Sequence, residues 1–161
     1  MKFVTIAATL VVTLGASVLI AGQLNLLAGQ RPENLGVTHG RLQPPSLTPN
    51  SVSSQATLYP EHPQRKYAEI APLTYTGEGQ VAMNQLALIL KNSERTTVIT
   101  EEPGYIYAQS ATALLKFTDD LEFWLDRQNA VIQMRSASRL GRKDFGANRA
   151  RIEAIRARFS T

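Results

Sequence analysis

The N-terminal stretch is apolar, and a helix formed by it would have no polar face. After Lys2 the next charged residue is Arg31, and the range 3–21 holds Val, Leu, Ile, Ala, Thr, Gly and Ser after its first Phe. At a rise of about 1.5 Å per residue this run spans about 28 Å as a helix, close to the hydrocarbon thickness of a bilayer. The pattern predicts a membrane anchor within residues 1–29. A cleaved signal peptide is the alternative, and we favour the anchor because the run is long and lacks a small-x-small cleavage site.

The C-terminal part, residues 67–161, alternates between helical and strand patterns. Apolar residues at helical spacing predict two helices, and β-branched or alternating stretches separated by turn residues predict four strands. The predicted order is helix 79–92, strands 96–101, 105–110, 114–126 and 130–137, then helix 147–159. Consecutive strands with short turns are antiparallel. We therefore expect a two-layer α+β domain in which both helices cover one face of a four-stranded sheet.

The last two strands form a hairpin whose register follows from burial. Pairing Leu125 with Ile132 places Phe123 on the same apolar face. Glu122 then lies opposite Arg135 on the other face. An exposed cross-strand ion pair of this kind contributes about 0.2–1 kcal/mol, so a structural role is favoured over a catalytic one.

Between the apolar run and this domain, residues 30–66 hold six of the eight prolines and many Ser, Thr, Asn and Gln residues. Prolines at this density exclude a long helix or a central strand. The segment is either a solvated linker or an extended arm packed on the domain, and periodicity does not distinguish the two.

Composition excludes several kinds of site. The chain has no Cys, so disulfides, thiolate metal sites and a cysteine nucleophile are excluded. Its two His residues, His39 and His62, both lie in the Pro-rich segment. We therefore expect no metal site and no cofactor.

Charge is unevenly distributed, although the net charge is only +4. Residues 135–161 hold eight basic and two acidic residues. These basic side chains could neutralise the acids of 119–122, face anionic lipid headgroups or bind a protein partner. Nucleic acid is disfavoured, because no recognisable nucleic-acid motif accompanies the charge.

The last helix carries one polar residue on its apolar side. Asn148 lies near the line of Ile152, Ile155 and Phe159. A buried Asn needs partners, and Asp144 in the preceding loop is a candidate. We expect a polar knot that joins this loop to the helix.

Long sequence motifs resemble one family. The runs FTDDLEFWLD (117–126) and IQMRSASRLGRKDFGANRARIEAIR (132–156) are similar to a bacterial and plastid family known as domain of unknown function 1499. The upstream RPENLGVTHGRL (31–42), PNSVSSQA (49–56) and IAPLTYTG (70–77) match in the same order. The resemblance covers about residues 31–159 and implies that 30–66 belongs to the domain as an extended arm.

The resemblance implies no reaction, but its pattern marks candidate residues. The first group is a polar cluster, functional or structural: Asp119, Asp120, Glu122, Arg135, Ser136, Ser138, Arg139, Asp144, Asn148, Arg149 and Arg151. The second group is in the arm: Asn50, Ser53, Ser54 and Gln55. Relatives often carry two Cys where this chain has Pro45 and Ser51, and the resemblance implies that the pair acts as a unit, such as a disulfide, which is absent here.

Three functions follow as hypotheses. The first is a non-enzymatic, membrane-tethered interaction or assembly module, and the second is a lipid-binding or small-ligand-binding domain. The third is an enzyme that uses the Asp, Glu and Arg residues of the polar cluster. In each case the bulk of the chain is expected outside the cytoplasm, on the periplasmic or thylakoid-lumen side, and it would be secreted if the N-terminal segment is cleaved.

Overall fold

The N-terminal apolar run forms one long helix that projects from the rest of the chain. The computed structural model describes residues 2–159; Met1 of the predicted anchor and Ser160 and Thr161 of the predicted domain lie outside that range. Helix α1 spans Lys2–Gln23, and no part of its apolar window is buried by the domain. By length and composition α1 can cross a membrane, and a signal sequence meets the same criteria.

The sheet has six strands, not the four expected from the sequence. The strands are β1 (Ser51–Ser53), β2 (Leu73–Thr74), β3 (Thr96–Glu102), β4 (Tyr105–Ala111), β5 (Thr118–Asp126) and β6 (Val131–Ser138). Every pairing between them is antiparallel, as expected, and the order is β1-β6-β5-β4-β3 with β2 also on β6. The two additional strands have three and two residues. Such short strands show no alternation in the sequence, and they form because they cover the outer edge of β6.

The predicted hairpin register is confirmed. Leu125 pairs with Ile132, and Glu122 pairs with Arg135. Strand β5 begins at Thr118, not at Leu114 as the sequence suggested. The intervening residues 114–117 form an exposed or half-buried loop.

The core lies between one face of the sheet and two helices, as predicted. Helix α3 spans Gly79–Lys91 and helix α4 spans Ala147–Phe159. Their apolar side chains form one cluster with the inward residues of the sheet; members include Leu86, Leu90, Ile106, Leu121, Phe123, Ile132, Met134 and Ile152. Gly79 permits α3 to approach β5, because a Cβ there would lie 2.8 Å from the Leu125 Cδ1.

Residues 30–66, hereafter the arm, pack against the domain through buried side chains. The arm contains β1 and leads into a short helix, α2 (Arg65–Ala68). Leu42 and Val52 are almost completely buried. The Gln55 side chain connects two parts of the arm, because its Oε1 accepts from Leu42 N at 2.8 Å and its Nε2 donates to Gly40 O at 3.0 Å.

A hydrogen bond closes the loop between Pro45 and Ser51. Both residues are buried, and Ser46 N donates to Ser51 Oγ at 2.8 Å. In this chain a serine hydroxyl therefore joins the two ends of the loop.

Two leucines of the arm test how strongly it contributes to folding. Leu42→Ala removes a side chain that is 1% exposed and should lower the free energy of unfolding by about 2–5 kcal/mol. Leu47→Ala is the matched control, because Leu47 is 75% exposed and its truncation should cost less than about 0.5 kcal/mol. Chemical denaturation of the detergent-solubilised protein measures both, and equal effects of the two variants would contradict the packed arm.

Candidate functional site

Alternation along β5 divides the polar cluster between the two faces of the sheet. Successive side chains of a strand point to opposite faces. Asp119 therefore shares the helix-covered face with Leu121 and Phe123, whereas Asp120 and Glu122 lie on the face opposite the helices. The sheet thus separates two networks, which we call the helix-side and the arm-side network.

Asp120 and Arg139 form the centre of the arm-side network. Arg139 Nη2 lies 2.7 Å from Asp120 Oδ1, and Arg139 Nε lies 2.9 Å from Asp120 Oδ2, so the guanidinium binds both oxygens. The hydroxyl of Tyr107 donates to Asp120 Oδ1 at 2.6 Å and accepts from Arg139 Nη2 at 3.1 Å. Asp120 is 1% exposed, so this carboxylate is balanced by contacts inside the protein.

Glu122 forms the second part of the same network and is fully buried. Its Oε1 accepts from Gly36 N at 2.7 Å and from the Tyr105 hydroxyl at 2.9 Å, while its Oε2 lies 3.7 Å from Arg135 Nη1. Burial, followed by the charge of Glu122, strongly raises the pKa of Tyr105. Burial lowers the pKa of Arg135, although Glu122 opposes that shift.

The arm closes over this network and is held by the same arginines. Arg135 Nε donates to Pro44 O at 3.2 Å, and Arg139 Nη1 donates to Gly29 O at 3.4 Å. The Arg31 guanidinium lies 4.4 Å from the centre of the Tyr107 ring. A cation at this distance from an aromatic face is attracted to it. The arginines therefore balance the charges of the buried acids and help fix the arm, while Glu122 Oε2 has no hydrogen-bond partner within the described residues 2–159.

Asn148 is the hub of the helix-side network, and the structure confirms the predicted knot between the loop and α4. Its Oδ1 accepts from Ser136 Oγ at 2.5 Å and from Arg151 Nη1 at 3.1 Å. Its Nδ2 contacts three acceptors at 2.9–3.0 Å, which are Asn50 O, Ser138 Oγ and Asp144 Oδ2. The side chain is fully buried, so each partner would lose a bond inside the protein if it were removed.

Asp144 and Asp119 complete the helix-side network. Asp144 accepts from the Tyr67 hydroxyl, from Gly146 N at 3.1 Å and from Asn148 N at 2.9 Å. Burial raises the pKa of Asp144, but these hydrogen bonds lower it by more, and the net shift is downward. Arg151 Nη2 lies 2.6 Å from Asp119 Oδ2, so Asp119 also has its own arginine. Asp126, the remaining acid of β5, accepts from Asn129 and Gln133 instead.

Two further arginines of α4 hold the chain that leaves α2. Arg149 Nη2 donates to Tyr67 O at 2.6 Å and to Glu69 O at 2.9 Å. Arg156 Nη1 and Nη2 donate to the carbonyls of Pro72 and Ala71 at 2.7 and 2.6 Å. Arg149, a predicted site residue, therefore contacts backbone and lies apart from the acids of β5.

The four candidate residues of the arm are all hydrogen-bonded. Asn50 Nδ2 donates to Gly141 O at 2.7 Å, and Ser54 Oγ donates to Gln133 Oε1 at 2.7 Å. Ser53 Oγ accepts from Gln55 N at 3.2 Å. Asn50 belongs to the helix-side network. Ser54 attaches the arm to β6, and Gln55 joins two parts of the arm by its bonds to Gly40 and Leu42.

Sequence reasoning missed the tyrosines of both networks. Tyr105 and Tyr107 stand two residues apart on β4, so they lie on one face, and Tyr107 pairs with Glu122 in the register of β4 with β5. The alternation of side chains between the two faces of β4 was the signal that could have identified these tyrosines. Tyr67, which bonds Asp144 from α2, had no such signal, because only the folded arm brings the two together.

The two serines and the two histidines that could serve as nucleophile and base do not lie together. Ser136 Oγ donates to Asn148, and Ser138 Oγ accepts from it. His39 and His62 lie in the arm, outside both networks. Within residues 2–159 no group of three or more His, Cys, Asp or Glu side chains could hold a metal ion.

An open groove lies beside the arm-side network, between residues 31–37 and the β3–β4 hairpin. It has a volume of about 550 Å³. Residues that line it include Arg31, Leu35, Glu102, Tyr105, Trp124 and Arg127. We call this feature the groove. Tyr105 and Gly36 line the groove and also bond Glu122, so the groove and the arm-side network share residues.

The comparisons place a family model over most of this structure. The model described as "Protein of unknown function (DUF1499)" matches residues 41–159, which include the helix-side network, all six strands and the acids and tyrosines of the arm-side network. Neither the curated proteins nor the solved structures contain a match to this chain.

Removing one partner of the buried pair Asp120–Arg139 tests its structural role. Arg139→Met should lower the free energy of unfolding by about 3–5 kcal/mol, because it leaves a buried carboxylate without its cation. Adding Asp120→Asn should recover part of this loss, because no unpaired charge then remains. The control is Lys91→Met in the exposed pair with Glu101, which should cost less than about 1 kcal/mol. Unchanged stability of Arg139→Met would show that the pair does not support the fold.

The Asn148 hub makes a second prediction. Asn148→Ala should cost about 3 kcal/mol or more, because several buried groups lose their partner at once. Asn84→Ala, on the exposed side of α3, is the matched control and should change stability by less than about 0.5 kcal/mol. Thermal denaturation followed by circular dichroism compares the two, and similar melting temperatures would contradict the hub.

Proposed function

The chain belongs to the DUF1499 family of proteins of unknown function, and from this premise we propose that it is a non-enzymatic interaction module held at a membrane surface by α1. In this proposal the domain lies outside the cytoplasm, on the periplasmic or thylakoid-lumen side, with Lys2 on the cytoplasmic side. A protein partner binds in the groove.

The ion pairs of β5 support this proposal most strongly. Asp119, Asp120 and Glu122 are all buried, and each faces one arginine. Acid–base or nucleophilic chemistry needs a group that can reach a substrate, and each of these carboxylates is at most 5% exposed. An enzyme built on the polar cluster is therefore the weaker alternative.

The shape and lining of the groove favour a protein over a lipid chain or small ligand. Small-molecule sites are mostly apolar and enclose their ligand. The groove is open and has charged side chains, among them Arg127 and Glu102, beside Tyr105 and Trp124. Trp, Tyr and Arg are the residue types that dominate binding energy at protein interfaces.

The groove also has a rigid support. One wall is a two-residue turn at Pro103–Gly104 that joins two paired strands, and the other is the arm, which Glu122 holds through Gly36 N. A rigid surface loses little conformational entropy when a partner binds. The buried networks thus act through the arm, by holding the groove in shape.

A photoreactive amino acid at Arg127, on the exposed side of the groove, tests the proposal in native membranes. Irradiation should give one discrete adduct of higher mass, and the same probe at Lys66, exposed in the arm, should give none. Glu102→Lys should reduce the adduct by changing the charge of the groove. Glu61→Lys, an exposed acid elsewhere in the arm, is the matched control and should leave it unchanged. A protein that stays uncrosslinked at both positions and co-purifies with no partner would refute the interaction module.

A further inference from the structure

One end of the sheet is where α1 meets the domain. The loops 112–117 and 139–146 leave the sheet at the same end, because Ala111 pairs with Thr118 and Asp119 pairs with Ser138. At the last residue of α1, Gln23 Nε2 donates to Leu114 O at 2.8 Å.

Close backbone contacts hold α1 at this end. A Cβ at Gly22 would lie 2.8 Å from Leu115 Cα, so only glycine lets the helix approach that loop. After the helix, the chain passes the second loop, because a Cβ at Gly29 would lie 2.8 Å from Arg139 Cβ and 3.0 Å from Leu140 Cγ. The end of the apolar helix therefore contacts the first loop, and the segment that follows it contacts the second.

The same two loops expose large apolar side chains. Leu114 is 67% exposed, Leu140 is 44% exposed and Phe145 is 94% exposed. Single exposed apolar residues are normal on a protein surface. These three, however, share the end from which α1 projects, and Leu24 and Leu26 continue the exposed apolar surface beyond the helix.

Hydrogen bonds on both sides of Phe145 fix the backbone that presents it to solvent. Its φ is +52°, a left-handed conformation that bulky residues rarely adopt. Asp144 fixes the turn around it, because its carboxylate accepts from Gly146 N and Asn148 N and its own N donates to Pro49 O at 3.2 Å. Backbone strain of this kind persists where the surrounding structure enforces it, often at binding sites.

Basic residues flank these apolar side chains. Lys116, Arg142 and Lys143 stand in the two loops, and Arg142 and Lys143 are exposed. Across the part of the chain that the structure describes, none of the three forms an ion pair. We call the set Leu114, Lys116, Leu140, Arg142, Lys143 and Phe145 the rim.

We propose that the rim docks into the headgroup region of the bilayer that α1 enters, with anionic lipids as its partner. Phe145, Leu140 and Leu114 enter the boundary between headgroups and acyl chains, and the basic residues contact lipid phosphates. Apolar side chains beside cations are the pattern of interfacial membrane binding. This inference deepens the proposed function, because it rests on membrane attachment through α1.

Docking at the rim orients the domain. The groove lies near the turns at 103–104 and 127–130, at the opposite end of the strands. Strand β5 has nine residues, so about 30 Å separates its two ends. The groove then points away from the membrane, toward partners.

Trp124 is the only tryptophan and lies in the groove, so it provides an internal control. The full chain is reconstituted in vesicles of phosphatidylcholine and phosphatidylglycerol that carry brominated acyl chains. In the variant Phe145→Trp/Trp124→Phe, the tryptophan emission should shift to the blue and lose most of its intensity to the bromine. The native Trp124 should be quenched several-fold less. Leu114→Trp/Trp124→Phe gives a second reporter on the other loop.

Charge variants test the lipid headgroup. Arg142→Ala/Lys143→Ala in the Phe145→Trp background should reduce quenching, and high salt should do the same, because exposed charges are screened. Arg41→Ala, at an exposed position of the arm next to Gly40, which lies beside Trp124, is the matched control and should change nothing. Equal quenching in pure phosphatidylcholine would overturn the role of anionic lipid.

Three other outcomes would overturn the docking itself. The first is a solvent-like emission of the tryptophan at position 145, and the second is equal quenching at positions 145 and 124. The third is a dimeric chain in detergent micelles in which position 145 is shielded from solvent, because the rim would then contact a second copy of the chain. None of them depends on crosslinking at Arg127. The groove could therefore bind a partner while the rim stays free of lipid, and the two proposals fail separately.

Discussion

Three of the four carboxylates on the central strand β5 constrain the rest of this structure. Asp119, Asp120 and Glu122 lie on β5, which has neighbours on both sides, and all three are buried. Burying a charge costs several kcal/mol unless a partner and hydrogen bonds compensate it. The fold supplies three arginines from three different places, which are β6, the loop that follows it and α4. The loop, the arm and the last helix must therefore adopt positions in which these pairs can form.

This constraint explains why the basic end of the chain is not simply a basic surface. Most of its arginines bind protein groups, either the acids of β5 or backbone carbonyls of residues 67–72. The exceptions Arg142 and Lys143 stand beside Phe145 in one loop. The basic residues of 135–161 thus form two groups. One group lies inside the protein and holds the arm, and the other is exposed in the loop 139–146, which the chain passes after α1.

The two ends of the domain therefore differ in the chemistry of their exposed side chains. At one end, the apolar helix and the rim present the chemistry that suits a bilayer surface. At the other end, the groove presents aromatic and charged side chains on a rigid support. The buried networks lie between them and connect the arm, the sheet and α4, so the shape of each end depends on the same hydrogen bonds.

The sequence by itself determined the apolar helix, the α+β class, both long helices and the register of the hairpin, because these follow from local periodicity and from the burial of one face. It also predicted Glu122 opposite Arg135 and a buried Asn148, since both positions follow from alternation or helical spacing. Only the tertiary structure decided that Asp120 pairs with Arg139 and Asp119 with Arg151. These partners are far apart in the chain, and loop geometry, which has no period, brings them together. The two short strands on β6 have the same origin, because a strand of two or three residues is defined by the edge it covers and not by its own sequence.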